Sequence, residues 1–134
     1  MNMAKGRVLV VDDDKQVYDT ISGALGKFGL TVEYAKSGEE AVEICKTEDY
    51  DMMFLDIVMP EVSGLAVIDK LNETKRKLPV IIVITAYDAM EMRQQAIDMG
   101  ATSAIQKPLM ADEIEDAVKL HFLDKRDSQA GYQI

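Results

Sequence analysis

Cysteine is almost missing from this chain: Cys45 is the only one in 134 residues. No intrachain disulfide can therefore form, and a cysteine-rich metal site is excluded. The one histidine, His121, has no ligand partner near it in sequence and reads as a residue near the end of the last helix, favourable to its dipole. No apolar run approaches the roughly 18 residues that cross a bilayer, and Met1 to Gly6 lacks the apolar segment of a secretion signal. Basic residues are also short. With 15 Lys and Arg against 24 Asp and Glu, and no basic cluster that stands out, the net charge is -9. Such a chain is poorly suited to bind nucleic acid directly or to sit on an anionic membrane. A reducing, cytoplasmic setting is the simplest expectation. The 48% apolar content is ordinary for a globular protein, and the length suits one domain with a real core.

What the chain does have is a series of short apolar runs that end in polar residues. Met52-Met53-Phe54-Leu55 stops at Asp56 and reads as a strand buried on both faces, as in a parallel sheet. Arg7-Val8-Leu9-Val10-Val11 ends in Asp12-Asp13-Asp14. Val80-Ile81-Ile82-Val83-Ile84 has no polar alternation, so it belongs at the centre of the sheet, and it ends at Thr85. Weaker strands are expected over Thr31–Ala35 and Ser103–Gln106, the latter closed by Lys107-Pro108.

Helical patterns fill the intervals. Asp14 can cap a helix running to about residue 28, with Val17, Ile21, Ala24, Leu25 and Phe28 on one side and Gly29 as its stop. Ser37-Gly38-Glu39-Glu40 is a capping-box start for a helix bearing Ala41, Val42, Ile44 and Cys45. Ser63 can cap a third helix striped by Leu65, Ile68 and Leu71. Asp88-Ala89-Met90-Glu91 opens a fourth that closes at Met99-Gly100, and a fifth over 111–123 turns Ile114, Val118 and Phe122 inward. Cys45 reads as inert filling, and Met90, Met92 and Met99 as core packing. After Asp124 the chain becomes polar and aperiodic over 125–134, a tail or the start of a linker.

Strand and helix in strict alternation predict one parallel sheet with helices on both faces. All strand ends then share one edge, the edge where open α/β sheets place their ligands. Along it come Asp12, Asp13, Asp56, Thr85 and Lys107. Two carboxylates about 4 Å apart at an effective dielectric near 20 repel by about 4 kcal/mol, so a cation must compensate. Lys107 offsets part of this, and Mg²⁺ suits the rest because it favours one or two carboxylates, waters and a phosphate oxygen. Lys107 and Thr85 fit the other phosphate oxygens as a point charge and a hydroxyl donor. The set reads as a phosphoryl-transfer site with an Asp as covalent acceptor. Asp14 reads as a helix cap only.

Val10-Val11-Asp12-Asp13, Leu55-Asp56 with Met59-Pro60 and Gly64, Ile84-Thr85-Ala86 and Lys107-Pro108 together resemble the receiver domain of two-component response regulators, over residues 6–124. The resemblance implies a doubly wound, flavodoxin-like three-layer α/β sandwich of five strands and five helices in the order 2-1-3-4-5. It implies that Asp56 accepts a phosphoryl group from a sensor histidine kinase or a histidine phosphotransfer protein. Asp13, Asp56 and the backbone carbonyl of Val58 would bind Mg²⁺ directly, and Asp12 mainly through a water. Lys107 would contact the phosphoryl oxygens, and Thr85 would swing toward them. A cis peptide is expected before Pro108. Such a domain is a signalling module that catalyses only its own phosphorylation and dephosphorylation. It would control an effector, or a second copy of itself, through its last two helices. The rival is a phosphohydrolase of similar fold with Asp56 as transient nucleophile; it would want an acid two residues on, where Val58 stands.

Two positions depart from the family pattern. The aromatic residue frequently found three positions before the lysine is Ala104 here, so no ring can rotate at that site. Val58 and Tyr87 flank the approach of water to a phosphorylated Asp56 without a charged group to position it, and slow self-dephosphorylation is expected. Tyr87 otherwise reads as a solvated loop residue.

Overall fold

The computed structural model describes residues 6–86 and 90–123. Five strands, β1 (Arg7–Val11), β2 (Thr31–Ala35), β3 (Met52–Asp56), β4 (Val80–Thr85) and β5 (Ser103–Gln106), form one parallel sheet in the order β2-β1-β3-β4-β5. Between and after them run α1 (Lys15–Leu25), α2 (Gly38–Cys45), α3 (Gly64–Glu73), α4 (Met90–Asp98) and α5 (Ala111–Val118). The alternation predicted one parallel sheet between helices, and the order is that of the doubly wound, flavodoxin-like architecture that the family resemblance implies.

Period-two alternation in continuous apolar strands divides the core in two. Leu9, Val11, Met53, Leu55, Ile81 and Val83 face α2, α3 and α4. Val8, Val10, Met52, Phe54, Ile82 and Ile84 face α1 and α5. Every side chain of β3 is buried, Asp56 included, because neighbours β1 and β4 flank it and helices cover both faces. No helix among the described residues is long and apolar enough to cross a membrane.

The helix ends depart from the sequence reading in small ways. The first helix stops at Leu25, and a single 3-10 turn, Gly26–Phe28, completes it. Glycine has poor helix propensity, so Gly26 marks the change. Gly29 then takes a left-handed φ of 73° and donates its N–H to Gly26, which is the expected stop. In α3 the buried stripe is Val67, Ile68 and Leu71, with Leu65 only partly buried. Gly64 opens the helix close against the end of β3 and is itself buried. The last helix continues past α5 as a π-helical turn over Lys119–Leu123, and Phe122 is buried there as expected. The proposed cap Asp88 and the loop residue Tyr87 lie outside the described residues, as do 125–134.

Candidate functional site: an acidic pocket at the carboxyl edge of the sheet

Parallel register brings the strand ends together. Val11 lies opposite Leu55, and Asp56 lies opposite Ile84. The residues that follow β1, end β3 and end β4 therefore emerge side by side. One carboxylate oxygen from each of Asp12, Asp13 and Asp56 falls within 4.8 Å of the others. Asp12 and Asp56 are buried and Asp13 is exposed. Thr85 ends β4 one position beyond the partner of Asp56 and is 5% exposed.

Backbone groups hold the acids in place. Asp12 Oδ1 accepts from the N–H of Asp14 at 2.9 Å, and Asp56 Oδ1 accepts from the N–H of Val58 at 3.1 Å. Asp14 turns away and caps α1 through the N–H of Gln16, which is the capping role its position suggested. Lys107 Nζ sits between the other two oxygens, 3.5 Å from Asp12 Oδ2 and 3.5 Å from Asp56 Oδ2. Its backbone N–H donates to the Thr85 carbonyl at 2.8 Å, and the Lys107–Pro108 peptide is cis as expected. The side chain of Val58 is 54% exposed at the mouth of the pocket.

The loop behind Asp56 depends on a close approach. Gly64 donates its N–H to the Ile57 carbonyl at 2.8 Å. A Cβ at Gly64 would lie 2.4 Å from the carbonyl oxygen of Asp56 and 2.7 Å from Ile57 Cα. Only glycine lets α3 start this close to β3.

Burial and mutual repulsion leave the pocket short of positive charge. Burial raises the Asp12 carboxyl to about 6; the Asp14 N–H and Lys107 pull it down, while Asp56 and Asp13 push it up. Asp56 is also raised, by burial first, with Lys107 and the Val58 N–H opposing. Burial works against the charge on Lys107, yet Asp56 and Asp12 outweigh it and hold the ammonium above its ordinary value. Lys107 Nζ comes no nearer than 3.5 Å to either acid. Asp12 Oδ2 is buried and has no hydrogen-bond partner, an arrangement that fits a small hard cation or its water.

One residue escaped the sequence reading. Tyr34, which registered there only as part of a strand, donates its hydroxyl to the backbone carbonyl of Asp12 at 2.9 Å. Burial, followed by the charges of Asp12 and Asp13, raises its phenol. Only the register Val10 opposite Tyr34 reveals the contact, and strand pairing is not written in either segment alone.

Fold and site together define a class: an α/β domain with an acidic, lysine-bridged pocket at the carboxyl edge of its sheet. A family model for the response regulator receiver domain matches residues 8–119. The chain belongs to that family and is a receiver domain of two-component signalling. It is 39% identical over 108 residues to the response regulator MprA of Mycobacterium ulcerans, covering 81% of this chain and 46% of that protein. The chain thus spans about half the length of the curated relatives it matches. Among solved structures, the receiver domain of AraT from Geobacillus stearothermophilus superposes with a TM-score of 0.80 at 27% identity, covering 92% of this chain and 98% of that one. A receiver domain protein from Methanospirillum hungatei gives 0.82 at 25% identity over 94% and 99%.

Proposed function

We propose that Asp56 accepts a phosphoryl group from a phosphohistidine, carried by a sensor histidine kinase or a histidine phosphotransfer protein, in a reaction that requires Mg²⁺. The observation that carries this reading is the convergence of carboxylate oxygens from Asp12, Asp13 and Asp56 within 4.8 Å of one another, with Lys107 3.5 Å from Asp12 and from Asp56 and Asp12 Oδ2 buried without a hydrogen bond.

Asp12, Asp13, Asp56 and the Val58 carbonyl form the binding set for Mg²⁺, with Asp12 acting mainly through a water. When bound, the ion supplies positive charge to phosphoryl oxygens as negative charge spreads over them. A carboxylate oxygen of Asp56 attacks phosphorus in line. The P–O bond forms as the P–N bond breaks, and its electron pair stays on the imidazole nitrogen, which then takes a proton. Lys107 already bridges Asp12 and Asp56, so it follows the charge onto a phosphoryl oxygen with little movement. Thr85, at the end of the neighbouring strand, donates its hydroxyl to another, and its displacement draws the loop after β4. Water attack on phosphorus restores the carboxylate and releases inorganic phosphate. The hydrolase reading gains no support at position 58, where valine has no proton to give.

The domain is assigned to residues 6–124, to the cytoplasm, and to control of an effector or a second copy through its last two helices. Incubation with a small phosphodonor and Mg²⁺, followed by intact mass, should add one phosphoryl group to the wild-type chain. Asp56→Ala should add none. Equal labelling of both would remove Asp56 as the acceptor.

A further inference from the structure

Asp12 is held from β2 at both of its peptide groups. Its N–H donates to the Ala35 carbonyl at 3.2 Å, and its carbonyl accepts from the Tyr34 hydroxyl at 2.9 Å. The second bond matters most for Asp13, because the carbonyl of Asp12 belongs to the peptide from which the Asp13 side chain projects. Asp13 is exposed, so packing does little to orient it, and the plane of that peptide sets where its carboxylate lies.

Tyr34 is itself fixed. Its ring lies against that of Tyr18 from α1, with centroids 5.1 Å apart and planes at 38°. Tyr18 in turn donates its hydroxyl to the Val32 carbonyl of β2 at 3.2 Å. Asp14, the cap of α1, follows Asp13 directly. The acidic turn is therefore bracketed by β2 on one side and by α1 on the other, with the tyrosine pair between them.

We infer that Tyr34 is a positioning residue of the acidic pocket: its hydroxyl, bonded to the Asp12 carbonyl, sets the peptide that aims Asp13 and so tunes the affinity for Mg²⁺. This rests on the proposed role of Asp13 in binding the ion. Loss of an outer-shell partner commonly weakens metal affinity by about 10- to 100-fold. Here the partner acts through backbone, so an increase of about 3- to 10-fold in the half-saturating Mg²⁺ concentration is expected, below that range.

The test compares full chains carrying Tyr34→Phe, Tyr18→Phe and Asp13→Asn with wild type. Circular dichroism first establishes folding at 25 °C. Mg²⁺ binding is then followed by calorimetry, and phosphorylation from a small phosphodonor is followed across Mg²⁺ concentrations. Tyr34→Phe keeps the ring and its stack; it should raise half-saturating Mg²⁺ by both measurements and leave the rate at saturating Mg²⁺ within about twofold, since affinity alone has changed. Tyr18→Phe keeps the ring on which Tyr34 packs and loses only the hydroxyl bond to Val32, so it should shift half-saturating Mg²⁺ less than Tyr34→Phe does. A wild-type Mg²⁺ response in Tyr34→Phe, an equal shift in both tyrosine variants, or failure of Tyr34→Phe to fold would each overturn the inference. If Asp13→Asn also keeps wild-type Mg²⁺ binding, the fault lies with the reading of the site; if it loses Mg²⁺ binding while Tyr34→Phe does not, only the role of Tyr34 is lost.

Discussion

The two oxygens of Asp12 live in different surroundings: Oδ1 is satisfied by the Asp14 N–H, and Oδ2 is buried without a hydrogen-bond partner. Burial raises this carboxyl to about 6, above an unfolded value near 4. Between those pH values the folded chain holds more protons than the unfolded one, so stability falls as pH rises through that window. The cost is on the order of 3 kcal/mol by pH 7 for a shift of about two units. In EDTA, thermal unfolding of wild type should therefore lose stability from about pH 4 to 6 relative to Asp12→Asn, which lacks this carboxyl; parallel curves would contradict it. Position 58 carries a second expectation. Valine stands exposed at the pocket mouth and cannot orient an attacking water, so phosphorylated Asp56 should be long-lived. Val58→Asn supplies an amide there and should speed phosphoryl loss several-fold, less than the roughly 10²- to 10⁴-fold that a positioned general acid or base contributes. An unchanged decay of the intact-mass signal would discard that role. At this scale the sequence already exposed Asp12, Asp13, Asp56, Thr85 and Lys107, because each follows or ends an apolar run. It did not expose Tyr34, whose role arises from a neighbour across the sheet.

Among the elements, β3 and its junction with α3 bear the tightest constraint. Gly64 lies against the Asp56 carbonyl, and a methyl group there would overlap backbone atoms that cannot rotate away. Gly64→Ala should destabilise by about 1–3 kcal/mol, as overpacking does, and should slow phosphorylation by displacing Asp56. Melting curves and phosphodonor labelling read the two effects separately; a variant with wild-type stability would show that α3 simply shifts outward. Helix α4 lies at the other extreme. Of its described side chains, only Ala96 is fully buried, with Met92 and Ile97 partly buried against the core. Strand and helix types were legible from periodicity. The end of α1 was not, nor was the burial of Gly64 and Val67 in α3 beside the expected Ile68 and Leu71, since Gly26 and Gly64 act through local geometry and close approach, which periodicity does not encode.

Across the whole molecule, the sheet order decides where charge accumulates. A net charge of -9 is spread over the surface, but the pocket concentrates three acids because β1 and β3 are neighbours. If residues 6–124 form the autonomous unit, a chain trimmed to them should unfold cooperatively within about 0.5 kcal/mol of the 134-residue chain, the scale of a surface change. It should also label at Asp56 with unchanged Mg²⁺ dependence. A larger loss of stability would make 125–134 part of the fold. The sequence by itself determined the alternation of strands and helices, the two-faced core and the polar residue at each strand end, because side-chain period and turn chemistry are local properties. Tertiary structure decided the rest. Parallel pairing set Asp56 beside Asp12 and Asp13, placed Lys107 between Asp12 and Asp56, left one buried oxygen without a hydrogen bond and brought Tyr34 onto the Asp12 carbonyl, since those distances depend on register between segments that no single stretch of chain contains.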